Sequence, residues 1–298
     1  NINDRPTATA TTLTATTEDN AAPTGSTISA LGFGYNDNTD NQTAITGGGN
    51  AATAFGGIAI VGNAADASTQ GIWQYNTGSG WVTIAGVNTG GTVATDSGAL
   101  LLPTTASIRF LPNVLNYNGT PGSLTVRVAD TATGFSAASD ISATLADHTS
   151  TWSATTTLGT TVSPQNDAPI LTGTPSNPAL TENATTASGL SINPAILLNS
   201  GVTLTDIDLT TTSALSTTTF GSGTISVNFT DAYVPGDVLF VDTTTLTGSA
   251  LPTGVTVSGG TANALTITLD SDTTLAEVKD ILEGISYQST SDNPTING

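Results

Sequence analysis

The chain has 298 residues, 37% of them hydrophobic, with four basic side chains against 23 acidic ones and a formal net charge of −19. The absence of Cys and Met excludes disulfides, thiol catalysis and Cys-ligated zinc, and the scarcity of Lys and Arg argues against binding a phosphate backbone. No run approaches the roughly 18 apolar residues of a membrane span, and the first residues carry no basic-then-apolar export signal, so an export address would lie outside this chain.

Thr supplies 61 residues and Gly 32, with 13 Pro as punctuation. Thr is β-branched, favours strands and leaves a polar outer face, so the expected class is all-β with many turns. Asp outnumbers Glu 19 to four, which a merely solubilising surface would not require. A short carboxylate suits β-turns and equally suits hard cations such as calcium, and composition leaves both readings open.

In chain order, "NINDRPTAT" (Asn1–Thr9) opens with Asn-Asp-x-Pro and is followed by Glu18 in "TEDN" and by Asp37 and Asp40 in "YNDNTD". "GIWQYNTGSGWVTIAG" (Gly71–Gly86) reads as a hairpin, with Trp73 and Tyr75 on one face of the first strand and Trp81 opening the second. "SIRFLPNVLNYNGTPGSLTVRVAD" (Ser107–Asp130) gives two more alternating strands, Ile108 and Phe110 around Arg109, then Leu124, Val126 and Val128 around Thr125 and Arg127. The phrase then returns as "SPQNDAPILTG" (Ser163–Gly173), with Glu182 in "TEN" and Asp206 and Asp208 in "TDID". "GTISVNFT", "DVLFVD", "GVTVSGG" and "ALTITLD" read as short strands. In "DTTLAEVKDILEGISYQS", Leu275, Val278, Ile281 and Leu282 share a helical face, Thr274 and Glu277 have capping-box spacing, and Gly284 can end the helix.

The recurring order, Asn-Asp-x-Pro, then Glu, then a pair of Asp, is an internal repeat. It predicts two domains, 1–165 and 166–298. Asn, Asp and Glu offer only oxygen ligands, of which calcium takes six to eight, and no single segment here supplies enough. Carboxylates from a linker and from the domains on either side could share one ion, with Pro6 and Pro169 stiffening the joint by fixing φ.

"QNDAP", "TEN" and "DID" resemble the linker, first-strand Glu and Asp-x-Asp motifs of cadherin-like repeats. The longer stretches around Gly71–Ile84, Ala99–Asp130 and "SYQSTSDNPTING" resemble tandem cadherin-like repeats of giant bacterial adhesins and surface filament proteins. The resemblance covers nearly the whole chain. It implies two immunoglobulin/cadherin-like β-sandwiches in series with one short helix in the second, Ca2+ at the joints, and an extracellular, non-enzymatic, structural or adhesive role. Matched residue by residue, it implies Asn166 and Asp167 as linker ligands, Asp206 and Asp208 as the next domain's pair, and Glu18 as the preceding domain's contribution. Asn3, Asp4, Asp37 and Asp40 would serve a joint with whatever precedes residue 1, and Glu182 a joint beyond Gly298. The implied partners are neighbouring repeats or further copies in a filament, with glycans or surfaces as candidate targets, and neither nucleic acid nor a membrane span.

A carbohydrate-binding or sugar-processing surface module is the alternative. It would use exposed Trp73, Tyr75 and Trp81 to stack on sugar rings, whereas the same aromatics buried between sheets need no ligand. His148 is the only histidine, with neither a Gly-x-Ser-x-Gly elbow nor a His-Glu-x-x-His motif, so a catalytic reading has no anchor. The last eight residues contain no strand-like run. By analogy with the first repeat, the second sandwich is expected to lack its final strand.

Overall fold

The computed structural model describes residues 4–42, 51–85, 99–130, 151–173, 178, 194–199, 201–209, 219–230 and 233–290. Asn3, His148, Glu182 and the final eight residues lie outside that set, and with them the question of a last strand in the second repeat. The chain is predominantly β, with two short α-helices among the described residues, α1 (Ile28–Leu31) and α2 (Leu275–Glu283). It divides into two compact units, Asn1–Gln165 and Asn166–Gly298.

The first unit contains β1 (Thr11–Thr12), β2 (Thr16–Thr17), β3 (Ser26–Thr27), β4 (Gly57–Asn63), β5 (Ile72–Asn76) and β6 (Val82–Thr83). It continues with β7 (Leu100–Pro103), β8 (Ser107–Leu111), β9 (Leu124–Ala129), β10 (Thr156–Gly159) and β11 (Val162–Ser163). One sheet runs β1-β10-β9-β4-β7 and another β3-β8-β5-β6. Period-two alternation sends Ile58, Ile60, Leu124, Val126, Val128 and Leu158 of the first sheet, and Trp73, Tyr75, Ile108 and Phe110 of the second, into one core. Trp73 is fully buried, meets Phe110 edge-on at 5.3 Å between ring centroids, and donates its indole N–H to Gly122 O at 2.8 Å. Gly122 is required there because a Cβ would stand 2.1 Å from Ala64 O.

The expected hairpin forms from β5 and β6, and Asn76 Oδ1 accepts from the backbone N–H groups of Gly78 and Gly80 to shape its turn. Two pairings among the described residues of this unit are parallel. Thr11 and Thr12 of β1 lie against Leu158 and Gly159 of β10, and Thr16 and Thr17 of β2 lie against Val162 and Ser163 of β11.

The second unit holds β12 (Ile170–Thr172), β13 (Ile196–Leu197), β14 (Thr203–Thr205), β15 (Thr224–Val227), β16 (Asp237–Val241), β17 (Thr256–Ser258), β18 (Leu265–Thr268) and β19 (Ile285–Ser289). They form three small sheets, β12-β14, β13-β19-β16 and β15-β18-β17, over a core that includes Leu239, Val241, Leu265, Ile267 and Ile285. The expected helix is α2 (Leu275–Glu283), preceded by a complete capping box in which Thr274 Oγ1 accepts from Glu277 N–H and Glu277 accepts from Thr274 N–H. Its apolar stripe puts Val278, Ile281 and Leu282 into that core, and Gly284 ends it. No helix among the described residues is long and apolar enough to cross a membrane.

Candidate metal centre

In the first unit the chain enters through Pro6, which is buried, and Thr7 and Asn36 then exchange both backbone hydrogen bonds, at 2.8 and 3.1 Å. That short antiparallel bridge lays the opening phrase alongside the Asp-rich one. Asn36 Oδ1 accepts from Asn38 N–H at 2.8 Å, and a single 3-10 turn follows over Asn38–Asp40. The turn carries Asp40 back beneath the entering strand, where Asp4 N–H donates to both carboxylate oxygens of Asp40, at 3.0 and 3.1 Å.

Asp37, Asp40 and Asp130 come together here, 4%, 0% and 1% exposed. One carboxylate oxygen of each lies within 4.8 Å of the other two. Asp130 arrives from the far side, as the residue directly after β9. A fourth segment braces the group. Thr53 donates its backbone N–H to Asp37 Oδ2 (2.7 Å), and its one hydroxyl proton faces two acceptors, Asp37 Oδ2 (3.2 Å) and Asp130 O. Asp37 Oδ1 is buried and has no hydrogen-bond partner among the described residues. Tyr35 reports the local field. Its hydroxyl donates to Thr53 O at 3.0 Å, and its pKa is pushed up to about 12, chiefly by burial, with the negative charges of Asp37, Asp130 and Asp40 adding to it and the Thr53 bond opposing.

Three carboxylates in so small and dry a space are unfavourable without a compensating charge. An orphaned carboxylate oxygen in a group of all-oxygen donors is what a hard cation would complete.

Elsewhere in the first unit, the parallel β2–β11 pairing sets Glu18 beside the end of the unit. Glu18 is buried, with Oε1 accepting from Gln165 N–H at 2.7 Å and Oε2 from Asn118 Nδ2 at 3.0 Å.

The second unit builds its counterpart from the repeated phrase. β12 and β14 run antiparallel with Ile170 opposite Thr205. Continuing that register three residues places Asp167 opposite Asp208, and Asp167 N–H donates to Asp208 Oδ2 at 2.5 Å. Asp206 Oδ1 accepts from Asp208 N–H at 2.9 Å, and both members of the pair are buried. Asp4 and Asp167 therefore play one part, and Asp40 and Asp208 another. Each linker Asp gives its backbone N–H to the second carboxylate of the following pair. Asn166 is exposed, with its amide turned to Asp167 O.

Asp130, Thr53 and Asn118 carry the sites without having been singled out in the sequence. Asp130 had a signal, a carboxylate ending the "VRVAD" strand. Thr53 and Asn118 had none. Of the aromatic candidates, Trp73 and Tyr75 are core residues, and Trp81 stacks on the Arg109 guanidinium at 4.2 Å from ring centroid to Cζ.

No protein-family model, curated protein or solved structure matches this chain.

Proposed function

We propose that this chain is a non-enzymatic segment of a long extracellular bacterial surface or filament protein. Its two units are tandem cadherin-like, immunoglobulin-like sandwiches whose joints calcium rigidifies. The observation that carries this reading is the duplicated contact, Asp4 N–H to Asp40 and Asp167 N–H to Asp208. A linker carboxylate delivered by the same backbone contact at the start of each repeat is a device for a joint, repeated because the joint is repeated. In the first repeat Asp37, Asp40 and Asp130 would hold the ion with the linker. At the second, Asp167, Asp206 and Asp208 would hold one within the second unit. The bound cation supplies neutralisation of these buried carboxylates. The side chains supply oxygen ligands and the backbone holds them in place.

The test is a calcium titration of the full chain by calorimetry, with small-angle scattering in calcium and in chelator. Binding near 10⁻⁴–10⁻³ M, about the range of extracellular modules, is expected, with a longer and stiffer particle in calcium. Absence of binding at several-fold higher calcium, or unchanged dimensions between the two conditions, overturns the reading.

A further inference from the structure

We infer that Thr53 is the positioning residue of the cation site formed by Asp37, Asp40 and Asp130, holding Asp37 so that one of its carboxylate oxygens is left for the ion. This rests on the calcium reading above and adds to it the residue that sets the site's affinity.

Two donors of one residue converge on one atom. Thr53 N–H and Oγ1 both lie within hydrogen-bond distance of Asp37 Oδ2, which satisfies that oxygen and fixes the plane of the carboxylate. The other oxygen, Oδ1, is buried with no partner among the described residues, in a side chain that is only 4% exposed. A buried acceptor left bare beside two more carboxylates is unfavourable unless a ligand completes it.

Thr53 also ties the pieces of the site together. Its one hydroxyl proton is shared between Asp37 Oδ2 and Asp130 O, at the end of β9, and its carbonyl accepts from Tyr35 Oη. Tyr35 in turn packs on Phe55, two residues beyond Thr53, with 5.4 Å between ring centroids. The brace is therefore anchored on both sides, while Thr53 itself remains exposed. A hydroxyl in this position orients a ligand carboxylate through hydrogen bonding and is not needed to fill the core. Outer partners of metal-ligating carboxylates act in this way, and their loss lowers affinity without removing a ligand.

The experiment uses the full chain carrying Asp208→Asn, which disables the other acidic pair, and compares Thr53, Thr53→Val and Thr53→Ser. Calcium affinity is measured by calorimetry, and thermal midpoints are measured in chelator and in calcium. Thr53→Val is expected to bind calcium about tenfold more weakly, the scale of one hydrogen bond to a charged group. Thr53→Ser is expected to stay within about twofold of Thr53. All three should share one midpoint in chelator, because a positioning residue is not a packing residue. Equal affinity of Thr53 and Thr53→Val overturns the inference and leaves the calcium reading standing. So does a Thr53→Ser variant as weak as Thr53→Val, or a Thr53→Val midpoint in chelator that falls as far as its calcium stabilisation does. If the Thr53 parent itself binds no calcium, the reading of this cluster fails and the inference with it.

Discussion

The buried carboxylates are held by neutral donors, and this determines how single substitutions behave. Asp40 takes two hydrogen bonds from one backbone N–H, and Asp37 takes two from Thr53, while three like charges remain close together. At under 5 Å each like-charged pair repels by roughly 3 kcal/mol at an effective dielectric near 20, and a cation reverses the sign. Asp37→Asn keeps an oxygen for Thr53 and gains an NH2 that can donate to the neighbouring carboxylates. In chelator it should be more stable than the parent by about 1–3 kcal/mol, and it should lose most of the stabilisation that calcium confers. Urea unfolding in chelator and in calcium reads both signs. A variant less stable than the parent in chelator would show that the three charges are not in conflict.

At the scale of elements, much was legible because local rules and tertiary need agreed. Trp73 and Tyr75 fall on the buried face of β5 as their alternation required, and Ile108 and Phe110 do the same in β8. The capping box of α2 is the clearest case, since Thr274, Glu277 and Gly284 mark both ends within the sequence itself. Thr274→Ala should cost about 1 kcal/mol, because it leaves an N-terminal N–H of the helix unpaired. Urea denaturation measures it, and a loss under a few tenths would mean that the helix is held by its buried face alone. The repeated phrase also reveals the Asp pairs, because β12–β14 register and the Thr7–Asn36 bridge turn sequence offset into proximity. Illegible was whatever needed distant closure. Asp130 joins Asp37 from 93 positions away in the chain, and Asn118 reaches Glu18 from 100 residues away. Neither residue type nor spacing announces such a contact, which exists for Asp130 only once β9 has paired with β4 and β10, and for Asn118 only once Gly119 has bridged Val162 and β11 has paired with β2. The brace from Thr53 is hidden for a different reason. Thr is so abundant in this chain that no single one stands out.

For the molecule as a whole, a net charge of −19 and four basic residues mean that the carboxylates must be matched by something other than side-chain cations. Lys279, paired with Glu283 on α2 at 2.6 Å, and Arg109, stacked on Trp81, are both occupied locally. The proposed role asks such a chain to transmit tension, and the first unit has a feature suited to it. Its earliest strand, β1, and its late strand, β10, run side by side in the same direction, as do β2 and β11. A pull applied at the two ends of this unit draws the members of each pair in opposite directions along their length. The bridging hydrogen bonds are then loaded in shear, several at once, and cannot be unzipped one after another. Single-molecule stretching should therefore show an abrupt, high-force rupture for this unit. Thr16→Pro, which deletes the backbone N–H that β2 donates to Thr161 O, should lower the rupture force, and a gradual low-force extension of the parent would mean that these paired strands do not bear the load.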